Sequence, residues 1–378
     1  MVYLDYNATT PLCHEAKKAM LPFLDGGFGN PSSIHAEGRL ARAAVDDARD
    51  RLAAALSVKA HEIVFTGGGT ESCNLGVIGI ARAHAPRGKH IITSAIEHHA
   101  VLHAFEYLKH FEGFEVDILP VDPSGTVCPE RLENAIRPGT TLASVMHANN
   151  ETGAVQPVRE LAAICRKRGV VFHADAVQAF GKIPVKPHED GLTAASIAAH
   201  KFYGPKGVGA LFLSAGFAIS RTSHGGAHEN TRRPGTENVA GIAGMAAAAE
   251  WAVSKDSTNL RALREMLWDG IEAACPEAVR NGDPELCLAN TLNVSFPGAD
   301  GESLLMGLDL EGICVSSGSA CMVGSILPSH VLIAMGVPSP TALASVRFSL
   351  GHETTPDDIR RTIRAVGRVL ELQPLAAR

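Results

Sequence analysis

The run at residues 172–182, FHADAVQAFGK, is followed after a short interval by residues 196–207, SIAAHKFYGPKG, and together they decide the fold. The apolar segment 170–174 predicts a buried strand ending at Asp175, and Lys201 comes just before a Gly/Pro-rich turn. An acid at a strand end and a lysine in the next unit match two needs of pyridoxal 5'-phosphate. Its aldehyde takes a lysine, and its pyridine nitrogen takes an anionic partner that keeps the ring protonated as an electron sink. Taken alone, the pair reads more simply as a turn cap and a solvated lysine. The rest of the chain changes that weighting.

Outward from this unit, apolar runs recur at 62–66, 90–95, 116–121, 141–147, 170–174 and 208–214, several of them separated by segments of helical period. One such segment predicts a helix with Leu40, Ala44, Ala48, Leu52 and Leu56 on its apolar face and Arg42, Asp46, Asp47 and Arg49 mostly outward. Strand–helix alternation predicts an α/β fold, a mostly parallel sheet with helices on both faces. Ligands of such sheets bind at the carboxyl ends of the strands. After about residue 255 the pattern changes to strands at 291–296, 313–317 and 344–350, a helix near 302–310 and a charged helix after Pro356. The predicted organisation is a large domain over 14–255 and a smaller α+β domain over 256–378 that residues 1–13 join.

With 378 residues and a net charge of −6, the chain has room for two cores and offers no basic surface for nucleic acid. The start, MVYLDYNATTP, carries no secretory pattern, and the Ala-rich stretch 242–253 is too short to span a bilayer, so the expected location is the cytoplasm. Eight cysteines without a CxxC pair argue against a zinc site and against a disulfide framework.

Three segments fall where a ligand is expected. FTGGGTESCNLG (65–76) follows a strand and opens a helix; Gly69 and Thr70 there can hold a phosphate through backbone N–H groups, or form a plain turn and cap. AIEHHAVL (95–102) puts His98 just past a strand, where an imidazole can stack on a flat ring and relay protons, while His99 reads as an ordinary loop histidine. HANNETG (147–153) offers the amides of Asn149 and Asn150, although such a motif is more often turn chemistry. A fourth segment, ICVSSGSACMVGS, surrounds Cys321 with Gly and Ser and predicts an accessible loop thiol, whereas Cys314 reads as core.

These segments, with YLDYNATTP (3–11), GNPSSIH (29–35), GGAHENTRRPGTENVAG (225–241), PSHVLIAMG (328–336) and SVRFSLG (345–351), resemble the cysteine desulfurases of the NifS/IscS type. That group belongs to the class V aminotransferases among fold-type I pyridoxal phosphate enzymes, and the resemblance runs from residue 3 to about 360. It implies that Lys201 binds the cofactor, Asp175 pairs with the pyridine nitrogen, Gln178 bonds the phenolic oxygen and His98 stacks over the ring. It further implies that Thr70 and His200 hold the phosphate, joined by Thr236 from the other subunit of a homodimer. Arg347 and Asn150 would bind the carboxylate of L-cysteine, and Cys321 would accept its sulfur for delivery to an acceptor such as an iron–sulfur scaffold. The same lysine and aspartate would serve a selenocysteine lyase or an aminotransferase without need of Cys321, and a sulfur-trafficking scaffold would need Cys321 alone. One position departs from the family, which commonly has serine three residues before the lysine. Here it is Ala198, with Ser196 further back on the same strand face.

Overall fold

The computed structural model describes residues 1–317 and 327–372, so that Cys321 lies outside the described residues. After the two-residue β1 (Val2–Tyr3), the central sheet is built from β2 (Ile63–Thr66), β3 (His90–Ser94), β4 (Glu115–Leu119), β5 (Thr140–Ser144), β6 (Val171–Asp175), β7 (Ala194–Ala198) and β8 (Gly209–Leu213). Their spatial order is β2-β8-β7-β6-β5-β3-β4. Strand β8 runs against both its neighbours, and the other adjacent pairs are parallel. The sheet is thus mixed and mostly parallel, with β5 to β8 buried at every position, as strands covered on both faces must be. Alternate residues serve the two faces. Ala143 and Phe172 pack with Val45 and Leu52 of the helix Ala36–Leu56 and Met245 of Val239–Val253, while Leu142 and Val171 pack with Val101 and Phe105 of His99–Glu112.

Two details differ from expectation. The buried stripe of Ala36–Leu56 is Ala41, Val45, Ala48, Leu52 and Leu56, and Leu40 is 63% exposed. A spacing of four at every step outruns a 3.6-residue turn, whereas alternating steps of three and four stay on one face. Strand β7, AASIA, escaped the expected set because four of its five residues are alanine or serine, which lack the β-branched signal. Its strand state comes from lying between β6 and β8.

Beyond the large sheet, β9 (Val279–Arg280), β10 (Thr291–Ser295) and β12 (Ser345–Ser349) form an antiparallel sheet, and β11 (Ile313–Cys314) pairs in parallel with β1. A separate apolar cluster joins them: Val2, Leu4, Leu267, Val294, Phe348 and Val366, the last from the helix Pro356–Leu372. From β1 the N-terminal chain bridges to β12 at Asp5↔Ser349 and runs on, bringing Asn7 and Ala8 against the end of the central sheet. Among the described residues no helix is long and apolar enough to cross a membrane.

Candidate active site

The carboxyl ends of β3, β5, β6 and β7 converge on one cavity of about 300 Å³. Connectivity reverses between the adjacent strands β3 and β5, the topology that opens a ligand crevice in such sheets. Asp175 is the last residue of β6. Its Oδ1 accepts from the backbone N of Val177 at 2.9 Å, which turns the chain and fixes the carboxyl at the cavity. Burial pushes its pKa up, and the neighbouring His98 and Lys201 pull it down.

Lys201 follows β7 through the short turn Ala199–Lys201. Close packing there needs glycine: a Cβ on Gly204 would lie 2.8 Å from Ala199 Cβ. The Lys201 amine donates to the carbonyls of Asn7 at 2.7 Å and Ala8 at 2.8 Å. Gln178 donates through Nε2 to the same Asn7 carbonyl at 2.9 Å. His98 caps the helix His99–Glu112, its Nδ1 accepting from Ala100 N at 3.1 Å, so the proton of the neutral ring sits on Nε2. Burial lowers the pKa of His98, with Asp175 opposing, and brings that of His200 down to about 4 through burial and the nearby Lys201 and Lys206.

Gly69 and Thr70 begin the helix Gly69–Asn74 at the cavity wall. A Cβ on Gly69 would lie 3.1 Å from Val177 Cγ2 and 3.2 Å from Ala198 Cβ, so glycine lets the backbone approach here. Arg347, in the middle of β12, is 2% exposed rather than a surface residue. Its Nη2 meets Asp5 Oδ1 at 2.7 Å and its Nη1 meets the carbonyl of Asn150 at 3.0 Å, while its buried Nε has no partner among the described residues. A buried guanidinium with an unmet donor is a seat for an anion.

The structure thus brings Lys201, Asp175, Gln178, His98, Gly69, Thr70, His200, Asn150 and Arg347 to one cavity. It does not bring Thr236 there: that residue is exposed on its own chain and does not line the cavity. Asn149 is spent on turn chemistry, its Oδ1 accepting from the backbone N of Glu151 and of Thr152. Ser196 is spent too. Its hydroxyl is fully buried and sits 2.9 Å from His173 Nε2, so it gives the cavity nothing in place of a serine at Ala198. His99, read as an ordinary loop residue, lines the cavity and packs its ring 4.9 Å from that of His330.

Sequence reasoning missed Asp5, Asn7, Lys182, Glu97 and Glu151. Asp5 and Asn7 stand in YLDYNATTP, where two polar side chains in an otherwise apolar start were the available signal. Glu97 is fully buried, accepting from Ser94 Oγ and Met146 N through Oε1, and burial pushes its pKa up to about 8. Between the unfolded carboxyl pKa and that value the native state holds a proton that the unfolded chain has lost, so stability falls as pH rises. Glu97→Gln is expected to flatten that decline; thermal midpoints from pH 5 to 8 check it, and parallel curves for the two proteins would contradict it.

A flat ring ligand with a phosphate, an aldehyde and a pyridine nitrogen fits this set. The cavity offers the lysine Lys201, the buried carboxyl of Asp175 at a strand end, the amide donor of Gln178, the imidazole of His98 and a helix start at Gly69. The family described as Aminotransferase class-V matches residues 2–362. Among curated proteins the chain is 49% identical to "Cysteine desulfurase IscS" of Dictyoglomus turgidum, over 98% of this chain and 94% of that one. It is 46% identical to the protein of the same name from Methanosarcina thermophila, over 98% and 92%. Among solved structures a "NifS-like protein" superposes with a TM-score of 0.92 at 38% identity, covering 98% of this chain and 99% of that one. The chain therefore belongs to the class V aminotransferase family and, within it, to the cysteine desulfurases of the NifS and IscS type.

Proposed function

We propose that this chain is a pyridoxal phosphate-dependent cysteine desulfurase that converts L-cysteine to L-alanine and takes the sulfur onto Cys321 as a persulfide. The observation that carries the reading is the convergence of Asp175, Lys201, His98 and a buried Arg347 with an unmet donor on one cavity. When bound, the cofactor supplies the electron sink that makes an amino acid's α-proton removable. Lys201 would hold it, and its amine is the group placed to take the α-proton. Asp175 would hold the pyridine nitrogen, whose positive charge would offset the burial of the carboxylate. Gln178 would donate to the phenolic oxygen, and Gly69, Thr70 and His200 would hold the phosphate, joined in a homodimer by the partner subunit's Thr236.

Arg347 and Asn150 seat the substrate carboxylate. His98 would stack over the ring and relay a proton at the substrate sulfur, a task that its lowered pKa favours. The Cys321 thiolate attacks that sulfur. The substrate C–S bond breaks, an S–S bond forms on Cys321, and the former β-carbon gains a proton and leaves as the methyl group of alanine. Cys321 is oxidised by what the substrate carbon gains, so no outside oxidant enters. The persulfide then passes to a sulfur-acceptor protein such as an iron–sulfur scaffold, in the cytoplasm. We take 14–255 as the cofactor-binding domain and 1–13 with 256–378 as the smaller domain carrying Cys321, a division supported by the separate apolar cluster of Val2, Leu4, Val294 and Val366.

The test is alanine released from L-cysteine by the purified protein loaded with pyridoxal 5'-phosphate, read with the visible absorbance of the bound cofactor. Release is expected; a colourless protein, or a coloured one releasing no alanine, would contradict the reading. Arg347→Lys keeps a cation for Asp5 but loses the planar fork. It is expected to lower kcat/KM about 100-fold, mostly through KM, as about 3 kcal/mol of a charge-assisted hydrogen bond disappears. An unchanged KM would remove Arg347 from the substrate seat.

A further inference from the structure

Four residues beyond Gln178, a second lysine enters the same network. The chain after β6 winds in a helical turn, with Phe180 N bonded to the Ala176 carbonyl and Ile183 N to that of Ala179. That turn brings Gln178 and Lys182 side by side. The Lys182 amine donates to Gln178 Oε1 at 2.6 Å and to Asn7 Oδ1 at 2.7 Å. Asn7 is 1% exposed and is itself fixed by donating to Thr291 Oγ1 at 2.9 Å and by accepting from Asn290 Nδ2 at 3.1 Å. Its backbone carbonyl takes both Lys201 and Gln178.

We propose that Lys182 is a positioning residue: it holds the carbonyl end of the Gln178 amide away from the cavity, so that the NH2 end is the one offered to the cofactor's phenolic oxygen. The inference rests on the cofactor reading above and adds to it a residue that does not line the main cavity. An amide has an acceptor end and a donor end, and a phenolate oxygen accepts. The Asn7 carbonyl takes one N–H of that amide, and with Lys182 gone from the oxygen this single tie is left to keep the amide from turning its oxygen to the ring, which would exchange an attraction for a repulsion. Lys182 supplies the anchor because its amine donates to both oxygens at once, and the second oxygen, on Asn7, is tied into the segment that holds Lys201. The charged and titratable groups around this network are Lys201, Arg347, Asp5, Asp175, His98 and His200 on the cavity side and Tyr6, Tyr203, Lys255 and His352 on the other.

A donor on the phenolic oxygen favours the deprotonated form of the cofactor's lysine linkage, so losing it raises the pH at which the visible band of the bound cofactor changes. The experiment titrates that band from pH 6 to 10 in the holoenzyme, Lys182→Met, Lys182→Arg, Gln178→Met and the Lys182→Met/Gln178→Met pair. Lys182→Met is expected to raise the midpoint by about one pH unit and to loosen cofactor retention on dialysis, while Lys182→Arg, which can still donate to both oxygens, stays near the parent. In the Gln178→Met background Lys182→Met is expected to add little, because both changes act through one amide. An unmoved midpoint in Lys182→Met, or a shift of the same size with Gln178 already gone, overturns the proposal. Should Lys182→Met not fold, Lys182→Gln replaces it: its shorter stem cannot reach both oxygens, and the same two outcomes decide. A parent protein with no visible band overturns the cofactor reading, and this one with it.

Discussion

Lys201→Ala is expected to lower alanine formation by about four orders of magnitude, the combined loss of the covalent anchor and of the base for the α-proton. Among the described residues Lys201 is the one lysine lining the main cavity; Lys206 lies in the adjoining open cleft. Lys182, the other amine of this network, does not line that cavity and is held by Gln178 Oε1 and Asn7 Oδ1. The variant leaves the Ala8 carbonyl without its Lys201 donor and the Asn7 carbonyl with Gln178 Nε2 alone, which costs about 1–3 kcal/mol if water does not replace the lost amine. A lower thermal midpoint is therefore part of the expectation and does not explain the activity loss. Borohydride reduction of the loaded parent followed by peptide mass mapping separates the two effects: the label belongs on the Lys201 peptide and vanishes in the variant. A label elsewhere, or activity within tenfold of the parent, would contradict the assignment.

Much of this site was legible because strands announce their ends. Asp175 was placed by the apolar run before it, and His98 and Asn150 by the runs at 90–95 and 141–147, since an open α/β sheet presents ligands at the carboxyl edge. What stayed illegible depends on long-range packing. Asp5 and Arg347 are at opposite ends of the chain, and only the crossing of the N-terminal segment against β12 makes them an ion pair. The buried stripe of the helix Ala36–Leu56 was misread by a phase, although the helix itself was not. Glu97 carries no local mark of being buried: it follows a strand as an exposed acid would, and Ser94, Met146 and the surrounding core decide its state. Ser196 shows the converse, a polar residue on the expected face already committed to His173 before any ligand arrives.

Cys321→Ala is expected to abolish alanine formation while leaving the cofactor's absorbance and the response of that band to added L-cysteine intact. The described residues on either side of the segment 318–326 give this a geometric footing. Before it, Ser316 pairs with Arg347 across the backbone, the Arg347 N donating to the Ser316 carbonyl at 2.7 Å. After it, Ser329 donates through Oγ to Glu151 Oε2 at 2.5 Å. Arg347 and Glu151 both line the cavity, so Ser316 and Ser329, on either side of the segment, each meet a residue of its wall. Cys314, the nearest described cysteine in sequence, is fixed in β11 against β1. Alanine formed equally by parent and variant would keep the cofactor site and move the protein to lyase chemistry that needs no thiol. A variant that still gains a stable persulfide, read by intact mass after L-cysteine, would place the acceptor on another cysteine.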